Sequence, residues 1–196
     1  MNNIEAKDQF FKLTPEKMLE SIEKIGVRCT GRCLMLNSLE NRVVEAEIEV
    51  EGEVSSPSER FRVAKFYRPE RWTKDQIKEE HEFLFDLVNQ DIPVVPPIKT
   101  EEGKSVFTAE DIGIHYAIFP KERGRTPQEF NEEELKWIGR LLARMHTVGS
   151  AKEAKHRISL NPQTYGEDNK KILLNSEMLL PEFSRELEAK IDSIIE

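Results

Sequence analysis

In the run VVEAEIEVE, Val44, Ala46, Ile48 and Val50 alternate strictly with Glu45, Glu47, Glu49 and Glu51. Period two is the period of a β-strand, and a carboxylate at every second position keeps one face of that strand in water. Gly52, Pro57 and three serines then separate it from a second strand pattern, RFRVAKFY. The economical reading is two adjacent antiparallel strands joined by a hairpin loop.

The segments on either side extend this reading. LTPEKMLESIEKIG predicts a short amphipathic helix with Thr14 as N-cap, Pro15 in its first turn, Met18, Leu19, Ile22 and Ile25 on one face, and Gly26 as the stop. Directly after RFRVAKFY, Thr73 with Gln76 forms a capping-box pattern and Trp72 with Ile77 a hydrophobic staple, which fixes the start and register of a second helix. IPVVPPI breaks that helix with prolines, and SVFTAED and GIHYAIFP read as two more short strands. KERGRTPQEF is a polar linker containing Gly124 and Pro127.

Beyond the linker the pattern is helical only. Asn131 and Glu134 form a capping box, Phe130 and Leu135 a staple, and Leu135, Ile138, Leu142 and Met145 an apolar face that Gly149 ends. The last segment carries Phe183, Leu187, Ile191, Ile194 and Ile195 at helical spacing with no stop signal, which predicts a chain cut short. The element order predicts an α+β fold: an antiparallel-sheet lobe with one embedded helix over residues 1–119, a linker over 120–130, and the start of a helical lobe over 131–196.

A net charge of −8 over 196 residues, with 34% charged residues of both signs and no basic tract, argues against a nucleic-acid surface and an anionic membrane surface. No apolar run approaches the roughly 20 residues of a membrane span, and the N-terminus is acidic and polar, so the chain reads as cytoplasmic. Cys29 and Cys33 are too few for a disulfide scaffold and lack histidine partners for zinc, which leaves free thiols.

One lysine and one glutamate stand out. By period-two geometry Phe61, Val63, Lys65 and Tyr67 share a face, so Lys65 sits in an apolar row. A lone strand lysine can snorkel its ammonium to water. The next helix argues otherwise: at about 100° per residue, Ile77, Leu84 and Val88 define the inward face, Glu80 projects with them near Leu87, and Glu79 points away. An inward lysine and an inward glutamate satisfy each other, whereas either alone in an apolar setting costs several kcal/mol. In phosphoryl-transfer enzymes a strand lysine held by a helix glutamate positions nucleotide phosphates.

The motifs LNSLENRV, VAKFYRPERWT with EEHEF, IPVVPPI, YAIFP and RLLARMH, in this order and spacing, resemble the bacterial stress-response serine/threonine kinases of the aminoglycoside phosphotransferase and choline kinase fold. The resemblance covers essentially the whole chain. It implies a kinase-like architecture with an ATP-binding N-lobe, a hinge and a helical C-lobe, and ATP and magnesium as cofactors. It makes Lys65 the phosphate lysine, Glu80 its helix partner and Ser38 a nucleotide-contacting loop residue. Spacing alone favours an ordinary turn serine at that last position. Ile118–Glu122 resembles the hinge, with Phe119 near the base and Lys121 also counted among the ATP-binding residues. His146 matches a position that looks structural.

The departures from the wider kinase pattern are equally informative. No G-x-G-x-x-G is present, and Val63-Ala64-Lys65 lacks the spacer of V-A-I-K, so an ordinary protein kinase is the wrong subclass. No H-G-D-x-x-x-x-N loop and no later metal-binding aspartate occur, and the resemblance puts the catalytic aspartate beyond Glu196, the last residue of the sequence. No catalytic base or magnesium ligand is therefore assigned within the chain, and inactivity of the chain alone is expected. Three functions are compatible: a stress-response serine/threonine kinase, a small-molecule kinase of the same fold acting on an aminoglycoside, choline or homoserine type hydroxyl, or a non-catalytic nucleotide-binding fragment. A monomer is favoured, with nucleotide as partner and the protein substrate unspecified.

Overall fold

A computed structural model of the chain describes residues 9–124, 129–176 and 179–195. Five strands form one sheet: β1 (Cys29–Leu36), β2 (Arg42–Ile48), β3 (Phe61–Phe66), β4 (Phe107–Ala109) and β5 (Ile114–Pro120). Their spatial order is β1-β2-β3-β5-β4, and every neighbouring pair is antiparallel. The alternating run forms β2 as the sequence predicts, with Val44, Ala46 and Ile48 buried, but Glu45 and Glu47 on its other face are half-buried ion-pair partners rather than held in water, and the strand stops at Ile48 and does not take in Val50. β1 has no counterpart in the sequence reading. It is an edge strand with both faces largely exposed, a bulge between Cys29 and Cys33, and hence no alternation to betray it.

Helices cover both faces of the sheet. α1 (Pro15–Glu23), capped by Thr14 and terminated near Gly26 at φ 86°, inserts Met18 and Ile22 against Val44, Ala46, Ala64, Phe66, Tyr116 and Ile118. This is the larger core, in which the Tyr116 ring stacks on Phe66 at 5.2 Å and on Phe107 at 5.4 Å between centroids. α2 (Lys74–Asn89) lies over the opposite face. Its capping box of Thr73 and Gln76 is present, and Ile77 and Trp72 pack with Tyr67, Val106, Ala117 and Phe119. Alternation in β3 therefore divides the strand: Ala64 and Phe66 serve the α1 core, and Lys65 faces the α2 side.

α2 ends where Asp91 adopts φ 52°, before the proline-rich segment. The Ile98 amide of that segment donates to the Ile118 carbonyl at 2.7 Å. α3 (Glu132–Gly149) begins with the Asn131 and Glu134 capping box read from the sequence. Its Arg144 donates to the carbonyls of Gln90 and Asp91 at 2.7 and 3.2 Å, supplying partners just beyond the end of α2.

The chain divides into two compact units at Ala154/Lys155. β5 ends at Pro120, the position at which the sequence places the lobe boundary, while α3 belongs to the first unit. The linker expected over 120–130 falls partly outside the described residues, as does its Pro127. The second unit consists of a π-helical segment Pro162–Glu167, α4 (Asp168–Leu174) and α5 (Pro181–Ile195), with Lys170 paired to both Glu167 and Asp192.

Candidate functional site

Lys65 pairs with Val43 on β2 and with Ala117 on β5, and Val63 pairs with Glu45 and Phe119. Paired residues of antiparallel strands project to the same side, so Lys65, Val43, Ala117, Val63, Glu45 and Phe119 share the α2 face. Lys65 Nζ donates to Glu80 Oε1 at 3.3 Å, across from α2. The two side chains are 27% and 30% exposed, so each is largely withdrawn from solvent yet still reachable. The helical geometry that separates Glu80 from Glu79 thus places the correct carboxylate on the lysine. Glu79 itself is half-buried and not the solvated residue that the helical face predicts.

The inward face of α2 also differs from its sequence reading. Ile77, His81 and Leu87 are its buried residues, while Val88 is exposed. His81 lies beside Ile77 on the helical wheel, a signal that a reading limited to apolar residues passes over. Its Nε2 meets the Tyr67 hydroxyl at 3.0 Å and its Nδ1 meets Ser105 Oγ at 2.8 Å. Burial pushes the imidazole pKa down to about 4, with Glu80 opposing and Lys65 reinforcing that shift, so His81 is neutral at pH 7. The Phe119 ring stands edge-on to it at 6.2 Å between centroids.

Tyr67 completes the surroundings of the lysine. The ammonium of Lys65 lies 4.5 Å from the centroid of the Tyr67 ring, a cation–π geometry. Lys65, Glu80 and Phe119 therefore gather around His81 and Tyr67, two residues that sequence reasoning did not select. Lys121 is placed otherwise: its Nζ donates to Glu45 Oε1 at 2.8 Å and lies 4.3 Å from the Phe61 ring centroid. Ser38 sits in the loop between β1 and β2, where its hydroxyl accepts from the Asn41 amide at 3.2 Å. Asn41 Oδ1 in turn accepts from the Arg68 amide at 3.1 Å, which ties that loop to the segment following β3. Among the described residues, no three His, Cys, Asp or Glu side chains assemble as a metal-binding group. Glu196 lies outside the described residues, and no catalytic role is assigned to it.

A half-buried lysine–glutamate pair beside Val43, Val63, Ala117 and Phe119, on a sheet face that also carries Glu45, is equipped to meet an anionic group. The family model described as "Phosphotransferase enzyme family" matches residues 39–193. This chain belongs to that family. Similar proteins include Stress response kinase A of Shigella flexneri, 34% identical over 179 residues that make up 91% of this chain and 51% of the relative. Serine/threonine protein kinase RdoA of Salmonella typhimurium is 38% identical over 140 residues, 71% of this chain and 39% of the relative. The chain thus spans about half the length of the curated relatives it matches, or less. Among solved structures, the amicoumacin kinase hAmiN in complex with AMP-PNP, Ca2+ and Ami matches with a TM-score of 0.70 at 19% identity, over 99% of this chain and 55% of that one. The fold is that of an α+β kinase-like phosphotransferase.

Proposed function

We propose that the chain binds ATP on the sheet face that carries Lys65, and that the protein it represents is an ATP-dependent serine/threonine kinase of the stress response. The observation that carries this reading is the half-buried Lys65–Glu80 pair at 3.3 Å, set on a floor of Val43, Val63, Ala117 and Phe119. Lys65 neutralises phosphate charge, and Glu80 holds the ammonium where the phosphates pass. Phe119 offers a ring to the base at the end of β5, residues 1–119 form the nucleotide-binding lobe, and 120–130 form the hinge. Ser38 and Lys121 are peripheral contacts in this scheme. The name of the Shigella relative supports the stress-response reading, and that of the Salmonella relative supports the protein-kinase reading.

Magnesium bridges phosphates in phosphoryl transfer, but the described residues gather no metal-binding group, and the 196 residues contain no H-G-D-x-x-x-x-N loop. No residue up to Glu196 is assigned to the metal or to proton abstraction from an acceptor. Titration with a fluorescent ATP analogue is expected to show saturable binding that Lys65→Ala weakens at least about tenfold, the equivalent of about 1.4 kcal/mol. Equal affinity of the two proteins would overturn the assignment of the site.

A second reading is a small-molecule kinase of the same fold, and the likeness to the amicoumacin kinase favours it. Acceptor screening of the chain, and of any longer protein that contains it, separates the two readings. Phosphorylation of an amino alcohol or aminoglycoside without protein phosphorylation would favour the second.

A further inference from the structure

A lysine gripped by one carboxylate is poorly located. Its side chain has four rotatable bonds, and Glu80 lies on a different element that must itself be held in place. The Tyr67 ring supplies a second wall for the ammonium from within β3's own continuation. Tyr67 is almost completely buried, and its amide donates to the His115 carbonyl at 2.9 Å. Its ring orientation is then set by the hydroxyl bond to His81, and the His81 ring is set by Ser105. A neutral imidazole, donating through one nitrogen and accepting through the other, satisfies both partners.

His81 also follows Glu80 directly on α2, so clamping His81 against Tyr67 fixes the helix that carries the carboxylate. One buried side chain thereby locates both walls of the lysine's pocket. A purely structural role explains this arrangement less well. The surroundings include Ile77, Val106 and Ala117, where apolar side chains would pack without the desolvation that the buried Tyr67 hydroxyl and His81 ring incur. The distinctive product of the trio is the placement of a ring face and a carboxylate next to the Lys65 ammonium.

We propose that Tyr67 and His81 are positioning residues for Lys65, holding its ammonium at the point where nucleotide phosphate is received. This rests on the reading of Lys65 as the phosphate lysine. The test compares ATP and adenosine affinities of the chain, measured by calorimetry, for the wild type, Lys65→Ala, Tyr67→Leu and Tyr67→Phe. Loss of the ring in Tyr67→Leu is expected to weaken ATP about five- to tenfold, in line with a partly desolvated cation–π contact, while leaving adenosine affinity unchanged. Tyr67→Phe, which keeps the ring but frees it from His81, is expected to show a smaller loss that is again confined to ATP.

If Lys65→Ala leaves ATP affinity intact, the site reading itself fails. If Lys65→Ala weakens ATP and Tyr67→Leu does not, the positioning role fails while the site stands. Parallel loss of ATP and adenosine affinity would mark a merely structural role and also overturn the inference. Should Tyr67→Leu not fold, the ring-current shift of the Lys65 ε-methylene protons decides. It is expected in the wild type and altered in Tyr67→Phe and His81→Asn, and identical shifts in all three proteins would overturn the inference.

Discussion

Lys65 and Glu80 differ from most of the described ion pairs in their surroundings. Lys136–Glu132 on α3 is largely exposed at both ends, and a pair of that kind contributes at most a few tenths of a kcal/mol. The Lys65–Glu80 pair is shielded on its apolar face, and a double-mutant cycle with Lys65→Met and Glu80→Gln is expected to give a coupling of about 1 kcal/mol in urea denaturation. His81 makes a second prediction with a definite sign. Its folded pKa is depressed to about 4 against about 6.5 when unfolded, so the unfolded state takes up a proton first as pH falls. Stability contributed by the neutral ring is complete above pH 6.5 and is lost as pH falls from there toward 4. Urea denaturation at pH 7 and pH 5 is expected to differ by up to about 2 kcal/mol from this residue, and His81→Asn is expected to flatten that difference. At this scale Lys65 and Glu80 were legible because each violated its local pattern. Tyr67 and His81 were not, because a buried tyrosine and a helical histidine violate nothing until their partners are known.

Among the elements, α2 was the easiest to locate and the hardest to orient. The Thr73 and Gln76 box fixes its start from local chemistry alone, and Thr73→Ala is expected to cost about 1 kcal/mol in the denaturation free energy of the first unit. Its end depends on tertiary structure. Asp91 at φ 52° turns the chain, and Arg144, more than fifty residues away in sequence, reaches the carbonyls of Gln90 and Asp91. Arg144→Ala is expected to lower stability by about 1 kcal/mol and to speed hydrogen exchange at the Gln90 and Ile92 amides, both of which donate to Leu87. The inward face of α2 was read from Ile77, Leu84 and Val88, but the buried residues are Ile77, His81 and Leu87, a wider arc that takes in a histidine bonded to Tyr67 and Ser105. β1 was invisible for the complementary reason that an edge strand exposed on both faces leaves no hydrophobic period to detect.

For the whole molecule, the contrast between the sheet and the later helices is the dominant feature. The sheet is covered by α1 and α2 and holds the buried core, whereas neither α3 nor α5 has a fully buried residue. Leu142 is 48% and Ile194 82% exposed, and Leu141, Met145 and Ile191 are half-buried. Uncovered apolar area of this kind is expected to drive concentration-dependent self-association, measurable by light scattering. The pair of substitutions Leu142→Lys and Ile194→Lys is expected to reduce that association without lowering the Tm. The sequence by itself determined the α+β order, the strand pairs flanking the serine-rich loop, the capped starts of three helices and the choice of Glu80 over Glu79. Each of these follows from periodicity or from hydrogen bonds between residues a few positions apart. Only the tertiary structure decided that β1 forms the sheet edge, that Arg144 reaches the end of α2, and that Tyr67, His81 and Ser105 link up beside Lys65. The last two of those outcomes join residues from 14 to 54 positions apart, and no local pattern in the chain encodes such a meeting.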